Sequence, residues 1–250
     1  MTETEWQECI YPEEMLRYLG ERASPRKRRL FACACVRRIW PLLNDDRLRQ
    51  AVKVAERFAD GRVSPKILEK ARRLASRLRE QREAAVPRAR TWMALAARSA
   101  AEAVEALLPE DEPILLRPRD IREPSDVVSA TRTARTAGRA AEAQREDDAA
   151  ATFEPIRRLH ALDAVELVRE IFGNPFRPVS LDANWLHWKD GIVPKMARVI
   201  YRKRCFRNLP ILGDKLEEAG CSDEVILTHC RTPVEHVRGC WLVDAVLGMV

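Results

Sequence analysis

The stretch "SPRKRRLFACACVRRIW", residues 24–40, predicts the helix on which the fold is built. Ser24 followed by Pro25 is typical of a helix start, because serine caps unpaired amide groups and proline fits the first turn. The run to Trp40 is much longer than an ordinary strand. In a helix, the apolar residues of "LFACACV" lie on every side, which is typical of a buried central helix.

The same start and stop signals recur along the chain. Thr2 with Glu5 forms a capping box, Ser64 precedes Pro65, and Gly61 and Gly220 follow apolar-periodic segments. We therefore predict an all-α fold, a multi-helix array or bundle of about 10–12 helices. The predicted helices lie near residues 3–9, 12–21, 25–40, 45–60, 65–86, 88–108, 125–148, 154–172, 191–205, 210–219, 223–231 and 233–247.

Two of these helices are predicted to be the most buried, 25–40 and 233–247, since both are apolar around much of their circumference. The second is predicted to begin at "TPVE", where Thr232 supplies a cap and Pro233 the first turn. The predicted core residues of the two helices are Leu30, Phe31, Cys33, Ile39, Trp40, Trp241, Leu242 and Val246.

Two stretches interrupt the helical pattern. Residues 109–124 hold four prolines, and residues 172–188 combine Asn-Pro and Pro turn formers with four large aromatic residues. The first predicts a Pro-rich loop or linker between an N-terminal basic helical subdomain, 1–108, and a C-terminal helical subdomain, 125–250. One continuous domain is the alternative.

Composition places the chain among folded proteins of the cytoplasm. Of its 250 residues 46% are apolar and 33% charged, a balance that is globular rather than disordered. No apolar run reaches membrane-spanning length, and the first residues lack a signal-peptide pattern. The seven cysteines are an odd number without regular spacing, which indicates reduced thiols in a cytoplasmic protein. We expect no membrane partner.

Four longer sequence segments are similar to segments of a known protein family: "RRLFACACVRRIW", "IFGNPFRPVSLDANWL", "LPILGDKLEEAGCSDEVILTHCR" and "HVRGCWLVDAVLG". Together they resemble a family of uncharacterised proteins of planctomycete bacteria of the Gemmata type. The resemblance covers both ends of the chain and leaves out the Ala- and Arg-rich middle, roughly 85–150. One departure is Val36, where similar sequences carry cysteine. The resemblance implies a bacterial origin and no particular activity, cofactor or ligand.

A metal site is one interpretation of "GCSDEVILTHCRTPVEHVRGCW", residues 220–241. His236 and Cys240 are four residues apart on the predicted helix, so both would face one side, where Cys221 or Cys230 could join them. However, no Cys-x-x-Cys spacing is present, and free cysteines commonly fill space between helices. We therefore predict that these four residues pack without a metal, and we expect no cofactor.

Other titratable residues give weaker indications of a site. Asp244 falls on the apolar arc of the last predicted helix, where we expect an ion pair with an arginine rather than a perturbed site residue. His160 and His187 have no nucleophile or carboxylate at a recognisable motif spacing. The chain contains no G-x-S-x-G, H-E-x-x-H, Walker or G-x-G-x-x-G motif.

Positive charge is concentrated in residues 22–90, which hold 21 Lys or Arg against 7 Asp or Glu, a net of +14. The whole chain carries +6, so the remainder is −8. The electrostatic field of such a positively charged segment could attract the phosphate groups of a nucleic acid. The candidate contacts are Arg26, Lys27, Arg28, Arg29, Arg37, Arg38, Arg72 and Arg73. Since no nucleic-acid-binding motif accompanies the charge, it supports weak, non-specific binding at most.

The missing catalytic motifs and the charged helix surfaces favour a non-catalytic helical scaffold or interaction module that binds another protein. Weak nucleic-acid binding through residues 22–90 is one alternative. Another is an enzyme with its site near residues 172–188, where Asn174 and Arg177 could hold an anion.

Overall fold

The computed structural model describes residues 1–38, 40, 43, 45–89 and 164–249. Within these ranges the chain forms ten α-helices and no strand, which confirms the all-α prediction. The helices are α1 (Glu3–Glu8), α2 (Pro12–Leu19), α3 (Pro25–Arg38), α4 (Asp46–Ala59), α5 (Pro65–Ala89), α6 (residues 164–172), α7 (Ala183–Lys203), α8 (Leu209–Glu218), α9 (Glu224–Arg231) and α10 (Trp241–Leu247). None of them is long and apolar enough to cross a lipid bilayer.

The chain divides into two compact units. The N-terminal unit comprises Met1 and Gln7–Leu167, and the C-terminal unit comprises Thr2–Trp6 and Val168–Val250. The predicted linker at 109–124 and the predicted helix at 125–148 lie outside the described residues, as does most of the predicted helix at 88–108. The predicted domain boundaries therefore stay a prediction.

Helix α3 is the central element of the described N-terminal unit. Seven consecutive residues, from Leu30 to Val36, are buried, as the apolar "LFACACV" run requires. Helix α4 packs against α3 and buries Leu48, Val52 and Ala55, which share one face at helical spacing. Its start is fixed by Asp45, whose side chain accepts a hydrogen bond from the backbone N–H of Arg47.

The predicted core is largely confirmed. Leu30, Phe31, Cys33, Leu242 and Val246 are buried. Trp40 and Trp241 are only partly buried: the Arg37 guanidinium lies over the Trp40 ring, and the Trp241 ring packs beside His229 at the edge of the core. Ile39 lies outside the described residues.

The core of the C-terminal unit is formed by α7, α8, α9 and α10. Helices α8 and α9 approach closely because Gly213 of α8 faces Cys230 of α9. A Cβ atom added at Gly213 would lie 2.7 Å from the Cβ of Cys230 and 3.4 Å from its Sγ. The absence of a side chain at residue 213 therefore sets the distance between the two helices.

Replacing Gly213 with alanine is expected to lower the free energy of unfolding by up to about 2 kcal/mol. Crowding of the added methyl group against Cys230 destabilises the fold by roughly 1–3 kcal/mol, whereas the higher helix propensity of alanine stabilises it by only about 1 kcal/mol. Urea unfolding followed by circular dichroism measures the loss. If the contact with Cys230 is the cause, the double variant Gly213→Ala/Cys230→Gly will lose less stability than the sum of the losses in the two single variants. A stabilised Gly213→Ala variant would contradict this packing.

Helix α7 contains a sharp kink that the sequence only partly predicts. Trp188 leaves helical geometry, and Lys189, Asp190 and Gly191 all adopt positive φ, at 44°, 56° and 72°. A new helical segment then runs to Lys203, which confirms most of the predicted helix at 191–205. The segment before the kink is additional, and it begins where the side chain of Asp182 caps Asn184.

The predicted helix at 233–247 is wrong in its first half. Residues 232–240 form a loop, which we call the 232–240 loop, and α10 begins only at Trp241. The hydroxyl of Thr232 donates to the carbonyl of Thr228 at 2.7 Å, so it ends α9 instead of starting a new helix. Gly239, at a φ of 97°, redirects the chain just before α10.

Candidate functional site

Four potential metal-binding side chains converge at one place in the C-terminal unit. Glu170 comes from α6, His229 from the end of α9, His236 from the 232–240 loop, and Cys240 directly precedes α10. We call this group the four-donor cluster. The loop is held over α6 by the backbone N–H of Val237, which donates to Glu170 Oε1 at 3.4 Å.

The donor atoms are close together. Nδ1 of His236 lies 3.1 Å from Oε2 and 3.2 Å from Oε1 of Glu170, whereas Nε2 of His229 lies 3.7 Å from Oε2. The same Nε2 lies 3.2 Å from Sγ of Cys240. One donor atom from each residue lies within 4.8 Å of all the others. Each side chain can therefore reach a common central point.

The cluster is shielded from solvent. Cys240 is fully buried, and the side chains of His236 and Glu170 are 5% and 6% exposed. The His229 ring lies between the rings of His236 and Trp241, with centroid distances of 4.8 and 4.7 Å. Nε2 of His236 is buried and has no hydrogen-bond partner among the described residues. The hydrogen bonds within the protein thus leave one polar atom of the cluster unsatisfied.

Burial controls the protonation of the cluster. It lowers the pKa of His229 to about 4, because desolvation outweighs the attraction of Glu170, and His236 adds to the lowering. Burial, together with the charge of Glu170, raises the pKa of the Cys240 thiol well above its ordinary value. At neutral pH the pair is a neutral imidazole and a thiol. A cysteine nucleophile requires the opposite, an accessible thiolate.

The predicted metal candidates separate into two pairs. His236 and Cys240 belong to the four-donor cluster, but the loop rather than a helix brings them together. Cys221 and Cys230 are buried outside the cluster. Burial raises the pKa of Cys230 to about 12, and the neighbouring Cys221 contributes further, so Cys230 remains a packed thiol.

Sequence reasoning missed Glu170 and His229. His229 lies inside the stretch that was considered for a metal site, one residue before Cys230, and its position at the last turn of α9 could have indicated a ligand. Glu170 lies more than 50 residues before the rest of the cluster and follows no motif spacing. Only the packing of α6 against the loop identifies it.

Most of the predicted phosphate contacts are engaged within the protein. Arg26 pairs with Asp60, Arg37 with Glu56, and both Arg72 and Arg73 with Glu69. Arg28 donates to the Gly20 carbonyl, and the Arg29 guanidinium lies over the Phe58 ring. Lys27 and Arg38 are partly buried. Much of the positive charge of residues 22–90 therefore serves internal contacts.

The predicted anion-binding residues near 172–188 already bind a carboxylate of this chain. Asn174 Nδ2 donates to Glu3 Oε1 at 2.9 Å, and Arg177 Nε lies 2.6 Å from the same oxygen. The hydrogen bond from Asn174, with Arg177 contributing, lowers the pKa of Glu3. These two residues thus anchor the N-terminal helix within the C-terminal unit.

Neither His187 nor Asp244 belongs to the four-donor cluster. His187 is exposed, and its Nδ1 lies 2.7 Å from the carbonyl oxygen of Ala183. Asp244 is 1% exposed on α10, as its place on the apolar arc predicts. His160 lies outside the described residues.

A basic surface that sequence reasoning did not single out lies on α7. Lys195, Arg198 and Arg202 project from one exposed face, with Val199 beside them at 48% exposure. None of the three cations makes an ion pair with a described residue. The opposite face buries Val193, Ala197 and Ile200. We call the exposed residues Lys195, Arg198, Val199 and Arg202 the α7 basic face.

Comparison with protein-family models, with curated proteins and with solved structures gives no match to this chain. The resemblance to the planctomycete family therefore stays a prediction.

Proposed function

We propose that this chain is a non-catalytic, cytoplasmic helical module that binds an acidic segment of another protein. The observation that carries the proposal is the α7 basic face, where three cations without an ion pair to any described residue lie beside the exposed Val199. Protein interfaces combine an apolar centre with charged residues at the rim. Charges of one sign steer a partner of the opposite sign to such a surface.

Two features favour binding over catalysis. Cys240 and His229, whose Sγ and Nε2 lie 3.2 Å apart, are shielded from solvent, whereas a cysteine nucleophile must be accessible to its substrate. Asn174 and Arg177, the residues proposed for an anion-binding enzyme site, are occupied by Glu3. The cations on α7 have no comparable internal role, so they remain available to a partner.

An acidic protein fits the α7 basic face better than a nucleic acid does. The exposed neighbour of the cations is Val199, which can pack in an apolar contact, and no aromatic side chain lies on that face for base stacking. Phosphate binding along 22–90 is also limited, because many of those arginines are already paired.

Reversing the charges of the α7 basic face is expected to weaken binding of an acidic partner about tenfold or more, since three exposed contacts of roughly 0.5 kcal/mol each are lost. The measurement is fluorescence anisotropy of a labelled, glutamate-rich helical peptide with the full chain at two salt concentrations. The variant combines Lys195→Glu, Arg198→Glu and Arg202→Glu. Binding by the unaltered chain should weaken as salt rises.

A matched control reverses three exposed cations of α5 that also lack ion pairs with described residues: Lys66→Glu, Lys70→Glu and Arg77→Glu. This variant has the same net charge and should bind the peptide within about threefold of the unaltered chain. Equal losses in the two variants would show a general charge effect and reject α7 as the binding surface. Tighter binding of duplex DNA or RNA of equal charge would reject the acidic-protein proposal.

A further inference from the structure

We propose that Glu170, His229, His236 and Cys240 bind one zinc ion, a site that goes beyond the proposed interaction function. Two imidazoles, one thiolate and one carboxylate are ligand types that zinc takes in proteins, and four ligands complete its tetrahedral shell. Two observations support this: one donor atom from each side chain lies within 4.8 Å of the others, and Glu170, His236 and Cys240 are almost fully shielded from solvent.

Three of the six donor–donor distances lie close to those of a tetrahedral zinc shell, and the four donors, which lie within 4.8 Å of one another, would draw together on binding. Zinc bonds of about 2.0–2.2 Å to nitrogen and oxygen and about 2.3 Å to sulfur give N–O edges of about 3.3–3.5 Å and N–S edges of about 3.5–3.6 Å. The observed N–O distances are 3.1 Å from His236 to Glu170 and 3.7 Å from His229 to Glu170. The N–S distance from His229 to Cys240 is 3.2 Å. Each lies within about 0.4 Å of its tetrahedral value.

Charge balance also selects a divalent cation. The carboxylate of Glu170 and the thiolate of Cys240 together carry two negative charges, and the two histidines bind as neutral ligands. On binding, the Sγ–H bond of Cys240 breaks, its proton leaves to the buffer, and an Sγ–Zn bond forms. No electrons are transferred. The product is a buried site without net charge, which avoids the cost of an uncompensated buried ion.

The nature of the donors distinguishes zinc from other common cations. Magnesium and calcium require six or more oxygen ligands, and the cluster offers a single carboxylate. Nitrogen and sulfur donors in a tetrahedral arrangement suit zinc. Because all four ligands come from the protein and the cluster is shielded, no position is open to substrate. The geometry is that of a structural site rather than a catalytic one.

The ion would connect α6, the end of α9 and the 232–240 loop. The 232–240 loop contains no helix or strand, and it meets α6 through Val237 and His236 on Glu170. Arg238 also anchors the loop, since it donates to the carbonyl of Tyr201 at 3.3 Å and its guanidinium lies over the Tyr201 ring. A zinc ion would tie the end of α9, this loop and the start of α10 to α6. That connection gives a structural role to a polar cluster buried beside the apolar core.

The test uses the full chain without a polyhistidine tag, purified without chelator. Elemental analysis by mass spectrometry is expected to find one zinc per chain. After removal of zinc by a chelator, titration with Co²⁺ should give the visible bands of tetrahedral cobalt and a near-ultraviolet thiolate-to-cobalt band, both saturating at one equivalent. Zinc should then abolish both bands. These spectra need no variant, so they do not depend on a substitution being tolerated.

Variants assign the ligands. Cys240→Ser is expected to lose the thiolate-to-cobalt band. His229→Ala should weaken cobalt binding more than about 100-fold, which exceeds the usual effect of replacing a residue that only hydrogen-bonds to a metal ligand. The matched controls are Cys230→Ser and Cys221→Ser, which alter buried cysteines outside the cluster and should keep the band and the stoichiometry. Circular dichroism of each variant identifies any that fail to fold.

Three results would overturn the proposal. The first is unaltered protein that contains no zinc and gives no thiolate-to-cobalt band. The second is a band that survives Cys240→Ser and disappears with Cys230→Ser in folded protein. The third is octahedral cobalt spectra, which would show binding by surface groups. Failure of peptide binding at α7 would leave this test unaffected, since the two sites share no residue.

Discussion

Replacing Arg37 with alanine is expected to lower the free energy of unfolding of the N-terminal unit by about 3–5 kcal/mol. Arg37 binds Glu56 with two nitrogens, at 2.5 and 2.9 Å, and the Glu56 side chain is only 3% exposed. Removing the guanidinium leaves a buried carboxylate without this partner, which costs more than the pair itself contributes. The contact of Arg37 with the Trp40 ring, at 4.5 Å, is lost as well.

Urea unfolding, with amide hydrogen exchange of α3 and α4 to report on this unit alone, measures the effect. Arg47→Ala is the matched control, because Arg47 also pairs with a carboxylate, that of Asp45, but its side chain is 58% exposed. That exposed pair should contribute no more than about 1 kcal/mol. Adding Glu56→Ala to Arg37→Ala should recover part of the loss. Equal effects of Arg37→Ala and Arg47→Ala would show that Glu56 does not depend on Arg37.

Replacing Phe31 with alanine is expected to cost about 3–5 kcal/mol, the range for a fully buried aromatic residue. Phe31 has no exposed surface and lies in the middle of the buried run of α3. The loss combines the transfer of the ring to water with a cavity that the surrounding helices only partly fill. The same hydrogen-exchange measurement reports it, as faster exchange in both α3 and α4.

Tyr11→Ala provides the control for Phe31→Ala. Tyr11 is an aromatic residue of the same unit and is 56% exposed, so its removal should cost less than about 1 kcal/mol. A Phe31→Ala variant as stable as Tyr11→Ala would contradict the central position of α3.

Local sequence signals predicted most helix positions because they act within a few residues. Ser24 with Pro25, and Ser64 with Pro65, start helices at the predicted places, and α8 and α9 end close to theirs. The same kind of signal failed at Thr232. There the hydroxyl closes the preceding helix, and the following residues turn toward Glu170 instead of continuing in a helix. Tertiary contacts overrode a favourable capping pattern.

The candidate sites were less predictable than the helices. His236 and Cys240 were considered together because they are neighbours in sequence, whereas Glu170 could be found only from the structure. The α7 basic face was missed because charge was summed over long segments. Such a sum cannot show that Lys195, Arg198 and Arg202 share one exposed helix face and form no ion pair with a described residue.

By itself, the sequence determined that the described chain is helical and that α3 is buried, since apolar periodicity and capping depend on nearby residues. Only the tertiary structure decided which polar groups meet. The loop at 232–240 brings His236 and Cys240 to Glu170, and α9 adds His229. It also decided which arginines are neutralised by buried acids, as Arg37 is by Glu56. These pairings join residues far apart in the chain, and their energy depends on burial, which no local pattern specifies.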